Sequence, residues 1–79
     1  GVMPDYMFNK GGMRIDAVTQ DRPAYKAGLI KGDIVIKMGE HNVEDMMGYM
    51  KALSKFKPGD STAVVVKRDK DTIQRKVTF

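Results

Sequence analysis

The sequence offers few groups that could do chemistry, and their spacing limits what they could do. There is one histidine, His41, in the run Gly39-Glu40-His41-Asn42, which reads as a tight turn. General base work needs a positioned partner and a pocket; a lone turn histidine is read as a surface polar residue. Ser54 and Ser61 have no evident base near them in the pattern. With no cysteine and a single histidine, no zinc site of ordinary spacing can be assembled. Asp33, Asp69 and Asp71 do not match a calcium loop, and Gly11-Gly12 is too sparse for a phosphate loop. No catalytic residue, metal or other cofactor is expected, and binding becomes the question.

The residues with the most specific spacing run from Arg22 to Met38. Pro23 fits a first helical position, where a missing N–H costs nothing. Ala24 to Ala27 can make about one turn of helix. Gly28 then stands where a left-handed C′ residue is wanted, and Leu29 can fold back onto Ala24. Gly32-Asp33 is a turn signal in which Asp33 is expected to fix its own turn by side-chain hydrogen bonding. Ile34-Val35-Ile36 reads as a buried strand.

Composition bounds the rest. A chain of 79 residues is one small domain, and 42% apolar content supports a real core. No apolar run is long enough to span a bilayer, and no stretch reads as a signal peptide. Net charge is +4, from 14 basic and 10 acidic residues. Most basic residues lie beside acidic ones. Lys51, Lys55, Lys57 and residues 67–70 cluster, but no aromatic residues interleave with them for base stacking. These are solvated faces, and nucleic acid is not an expected partner. Seven methionines are adaptable apolar fillers, most of them expected in the core.

The elements that must position these residues follow from pattern. Residues 1–8 read as a short strand interrupted by Pro4, followed by a turn at Asn9 to Gly12. Met13 to Val18 is a strand with Ile15 and Val18 inward. Ile34 to Met38 is the third strand. Glu44 to Lys55 is the main helix: Met46, Met50 and Leu53 fall at i, i+4 and i+7, with Met47 and Tyr49 widening the stripe and Phe56 closing its end. Gly48 inside that helix implies that something packs close there. Asn42 or Glu44-Asp45 can serve its N-terminus, and Pro58-Gly59 ends the unit. Thr62 to Arg68 and Thr72 to Phe79 are the last strands, joined by a turn at Asp69 to Asp71, with Ile73, Val77 and Phe79 apolar. The pattern predicts an α+β, mainly β fold: a small antiparallel, barrel-like sheet with two helices.

The Arg22–Met38 segment resembles the Pro-Ala-x-x-Ala-Gly-Leu-x-x-Gly-Asp-x-Ile signature of PDZ domains, especially those appended to bacterial envelope proteases. The opening Gly1-Val2, the Gly12–Val18 strand, the helix near Asp45 to Lys55, the Lys57-Pro58-Gly59-Asp60 turn and the final strand pair extend the resemblance over nearly the whole chain. It implies the bacterial, circularly permuted strand order, in which the C-terminal strand takes the place of an N-terminal one. Pro4-Asp5-Tyr6 and the Lys-Phe-Lys-Pro-Gly-Asp turn look most like PDZ domains of zinc-dependent aminopeptidases. The resemblance further implies a domain of residues 1–79 excised from a larger peptidase, located through that protein in the periplasm, the envelope or outside the cell.

What the resemblance implies for function is non-catalytic peptide binding by strand addition between the Val2 strand and the 45–55 helix. The expected binding residues are Gly1, Val2, Met3, Pro4, Met46, Met50 and Leu53. Gly1-Val2 resembles the end of the loop whose backbone N–H groups hold a terminal carboxylate. Two positions depart from common patterns. Many animal domains have histidine where Met46 stands; methionine cannot donate a hydrogen bond and favours an apolar side chain two residues before the ligand's end. Pro4 stands where the strand ordinarily donates an N–H, and it has none. The expected partners are apolar C-terminal or extended peptide segments and the catalytic domain of the parent protein, with no membrane insertion. The alternative is an intramolecular structural or regulatory module whose weak groove packs on its parent.

Overall fold

Alternation of side chains sets the sheet, and two interruptions of that alternation shape it. The computed structural model describes residues 2–8 and 11–79; the expected site residue Gly1 and the turn positions Asn9 and Lys10 lie outside the described residues. β1 (Val2–Pro4) is followed by β2 (Met13–Val18), in which Met13 and Ile15 are buried while Arg14 and Asp16 face solvent. Asp16 is an extra residue, since Met3 pairs with Ala17 and Pro4 with Ile15. That bulge lets Val18, three residues after Ile15, pack against the core as well. β3 (Ile34–Met38) repeats the device. Ile36 is skipped in the pairing with β5 (Ser61–Arg68), so Val35 and Met38 both face inward.

All neighbouring strands are antiparallel in the order β1-β2-β3-β5-β6, where β6 is Asp71–Thr78; the two-residue β4 (His41–Asn42) pairs with β3. This is the expected mainly β architecture with two helices. The sheet stays open, with β1 and β6 at its two ends.

α1 (Pro23–Lys26) begins at Pro23 and stops at a Schellman motif. Gly28 holds φ +88°, its N–H donates to the Tyr25 carbonyl at 3.0 Å, and the Leu29 N–H donates to the Ala24 carbonyl at 3.1 Å. Leu29 and Ala24 are both buried, as the sequence pattern requires.

α2 (Met46–Leu53) is shorter than the expected Glu44–Lys55 helix. Asp45 is in an extended conformation and its carboxylate accepts the Gly48 N–H at 2.7 Å, so it caps the helix rather than joining it. At the far end the Lys55 N–H turns back to the Ala52 carbonyl three residues earlier, at 3.0 Å, which tightens the chain out of the helix. A Cβ on Gly48 would lie 3.3 Å from the capping Asp45 oxygen, a tight approach that the cap would have to ease by a few tenths of an ångström.

Only Met13 and Met38 of the methionines are buried, which corrects the expectation that most fill the core. Met3 alternates outward on β1, Met7 lies in the turn after it, and Met47 and Met50 lie on faces of α2 turned from the core. The core is instead built on aliphatic strand residues with Tyr49 and Ala52 of α2. The end of the chain is held down: the Phe79 N–H donates to the Asp60 carbonyl at 2.8 Å, and its ring stacks on Phe56 at 5.2 Å.

Candidate functional site

The first strand is short because Asp5 ends it. The Asp5 carboxylate accepts the Met7 N–H at 2.9 Å and pulls the chain into a turn, so the strand expected over residues 1–8 is confined to Val2–Pro4. Arg14 of the neighbouring strand donates to the same carboxylate and lies over the Phe8 ring, 4.8 Å from its centroid. The hydrogen bond from Arg14, joined by that of the Met7 N–H, holds the Asp5 carboxyl below the usual carboxylate range. This clamp places Tyr6 beside the end of β1.

The other wall is α2. Two main-chain bonds seat the segment leading into it: Gly12 N–H to the Glu44 carbonyl at 2.8 Å, and Val43 N–H to the Ile36 carbonyl at 2.9 Å. The second uses the residue that the bulge in β3 leaves over. Gly12 is required here, because a Cβ would lie 2.7 Å from the Val35 carbonyl oxygen.

Between the walls runs an apolar groove of about 310 Å³. Val2 and Pro4 of β1 and Tyr6 of the turn after it line one side; Met46, Tyr49, Met50 and Leu53 line the other. A smaller cavity of about 70 Å³ shares Val2, Tyr49 and Leu53 with the groove and reaches Ile15, Leu29 and Phe79. Among the described residues β1 has no strand partner on its outer side. The Asp5 N–H is directed to β2, donating to the Arg14 carbonyl at 2.9 Å. By strand alternation, the Val2 N–H and the Val2 and Pro4 carbonyls face the open edge. The proline ring nitrogen faces it too, and offers no hydrogen.

Of the expected binding residues, Val2, Pro4, Met46, Met50 and Leu53 are brought together along the groove. Met3 is not among its lining residues: it is 57% exposed on the opposite face of the strand from Val2 and Pro4, because strand side chains alternate. Tyr6 and Tyr49 line the groove and were not singled out from the sequence. The signal for Tyr6 was the period of two from Val2 through Pro4. For Tyr49 it was the i+3 spacing from Met46, which marked it as part of the apolar stripe without assigning it a role.

The serines and the histidine of the sequence make local contacts. The Ser54 hydroxyl donates to the Lys51 carbonyl at 2.6 Å, Ser61 shares a hydrogen bond with Thr78 at 2.8 Å, and His41 stands edge-on to Phe56. Among the described residues, no three histidine or carboxylate side chains gather as a metal site would need, and no helix is long and apolar enough to cross a membrane.

Comparison with solved structures gives the same fold. An aminopeptidase N family protein from Idiomarina loihiensis superposes over 99% of this chain with a TM-score of 0.87 at 23% identity. The HtrA-type protease AlgW, solved with a decapeptide, superposes over 99% with a TM-score of 0.88 at 20% identity, and its form with a tripeptide gives 0.82 at 20%. The chain spans 13% of the aminopeptidase and 27% and 29% of the two protease chains. A comparison with curated protein sequences returned no match. The family model for the PDZ domain matches residues 5–79, nearly the whole sequence, and the chain belongs to the PDZ domain family.

Proposed function

We propose that this domain binds extended or C-terminal peptide segments in the groove between β1 and α2, as an added strand on the open edge of β1. The observation that carries the reading is the coincidence of an unpaired strand edge with a continuous apolar groove along it. The edge supplies main-chain hydrogen bonds and the groove supplies pockets for alternate side chains. In this reading Val2 contributes main-chain polar groups and a wall, Leu53 lines both the groove and the smaller cavity, and Met46 and Met50 form an adaptable apolar rim. Residues 1–79 act as a module of a larger envelope or secreted peptidase, holding segments near its active site or regulating that site. The size of the structures of like fold supports this, since the chain matches only a fraction of each.

A second reading is favoured by Pro4. Its missing N–H weakens the edge for a free peptide and suits a segment of the parent protein held at high effective concentration.

The test is a titration of the isotope-labelled domain with a peptide ending in a run of valines, followed by amide chemical shifts. Shifts should map to Val2–Tyr6 and Met46–Leu53. Met50→Glu places a charge in the groove at a half-exposed position, so it should abolish the shifts without altering the fold. Shifts confined to the other face of the sheet, or undiminished by Met50→Glu, would refute the reading.

A further inference from the structure

Tyr49 is 9% exposed and its ring is part of the core, yet its hydroxyl has no hydrogen-bond partner among the described residues. Among the described residues no buried side-chain polar atom is sealed without a partner, so this hydroxyl reaches accessible space. The spaces that Tyr49 lines are the groove and the smaller cavity. A buried tyrosine ordinarily satisfies its hydroxyl inside the protein. Burial raises the Tyr49 pKa, so the group stays protonated and can both donate and accept.

The surroundings sharpen the point. The other side chains lining the groove are Val2, Pro4, Met46, Met50 and Leu53, all apolar, and Tyr6, whose ring is 73% exposed and solvated. Among the described lining residues Tyr49 alone combines a buried ring with a polar group, the arrangement by which a few placed groups fix a ligand's orientation. We propose that the Tyr49 hydroxyl reads the bound peptide from the floor of the groove, and that the ligand carries a hydroxyl or amide side chain over it within an otherwise apolar segment. The proposal rests on the groove being the peptide site.

The experiment uses fluorescein-labelled peptides ending in a run of valines, with each valine changed in turn to threonine, its near isostere, or to asparagine. Affinities for the wild type and for Tyr49→Phe are read by fluorescence anisotropy, and both proteins are melted without ligand. At one position threonine or asparagine should bind the wild type about fivefold more tightly than valine, the ratio to which a net hydrogen bond of about 1 kcal/mol converts. Tyr49→Phe should erase that preference and melt no lower than the wild type. Equal binding of the substituted peptides at every position overturns this inference alone, as does a preference that survives in Tyr49→Phe. A markedly lower melting temperature for Tyr49→Phe overturns it too, because the hydroxyl would then be satisfied within the protein. Failure of every peptide to bind the wild type overturns the groove reading and the inference with it.

Discussion

Arg68 grips Asp33 with two parallel hydrogen bonds, Nε to Oδ1 and Nη2 to Oδ2, each 2.8 Å long. The same Nη2 donates to the Gly28 carbonyl at 3.0 Å. One guanidinium on β5 thus holds both the glycine that ends α1 and the turn that opens β3. Asp33 is fully buried, and it also accepts the Ile30 N–H at 3.1 Å, the turn-fixing bond expected of it. Burial by itself would raise its carboxyl; the bonds from Arg68 and Ile30 outweigh that and hold it below the usual carboxylate range.

The two ion pairs should respond differently to loss of their arginine. Arg68→Met leaves a fully buried carboxylate unpaired, whereas Arg14→Met leaves one that is partly exposed. Thermal melts at neutral pH should fall much further for Arg68→Met. The gap should narrow as pH falls toward about 4, because burial without Arg68 raises the Asp33 carboxyl and lets it take up a proton above its ordinary range. Equal melting temperatures for the two variants would contradict the role given to this pair.

The wild type should lose stability in acid with a defined sign. Asp33 and Asp5 both have lowered carboxyl pKa values in the folded chain. As pH falls, the unfolded chain binds protons first, near a pKa of about 3.9, and folding becomes less favourable until the folded carboxyls are protonated too. Urea midpoints should be flat above about pH 5 and decline below about pH 4. Asp33→Asn should flatten the decline; an unchanged slope in that variant would exclude Asp33 as its source.

Two glycines should rank in a fixed order. Both hold positive φ, +88° at Gly28 and +129° at Gly12. An added Cβ on Gly28 meets only the Arg75 side chain, at an ordinary 3.5 Å, while one on Gly12 meets the Val35 carbonyl at 2.7 Å. Gly28→Ala should cost about 1–2 kcal/mol from backbone strain. Gly12→Ala should cost more, because a backbone carbonyl has to move. Calorimetry showing the reverse order would place the strain elsewhere.

Restoring a donor on the groove edge should strengthen binding. Pro4→Ala gives β1 an N–H on its open side, worth about 1 kcal/mol, or about fivefold in peptide affinity. It also removes a residue that blunts an exposed edge, so self-association should rise at high protein concentration. Anisotropy and sedimentation read the two effects separately. Unchanged affinity would mean that a bound peptide does not pair at this position.

Local rules made much of this protein legible before any tertiary contact was known. Pro23, Gly28 and Gly32 each demand or permit one backbone conformation, and the chain adopts it in each case. Met13–Val18 and Ile34–Met38 have the expected bounds, because apolar content and turn residues agree there. The groove's helix side was readable for a similar reason: a spacing of i, i+4, i+7 puts Met46, Met50 and Leu53 along one face wherever the helix ends.

Other features depend on atoms far apart in the chain. The partnership of Asp33 with Arg68 spans 35 residues, and only the antiparallel pairing of β3 with β5 brings them together. The bulges at Asp16 and Ile36 shift which side chains face inward, and a bulge arises from how two strands register rather than from either strand alone. α2 ends short of its apolar pattern because a cap and a tightened last turn win locally over periodicity. Tyr49 carries the same lesson: sequence marked it as one residue of an apolar stripe, and only the packed fold decided that it would both join the core and line the groove.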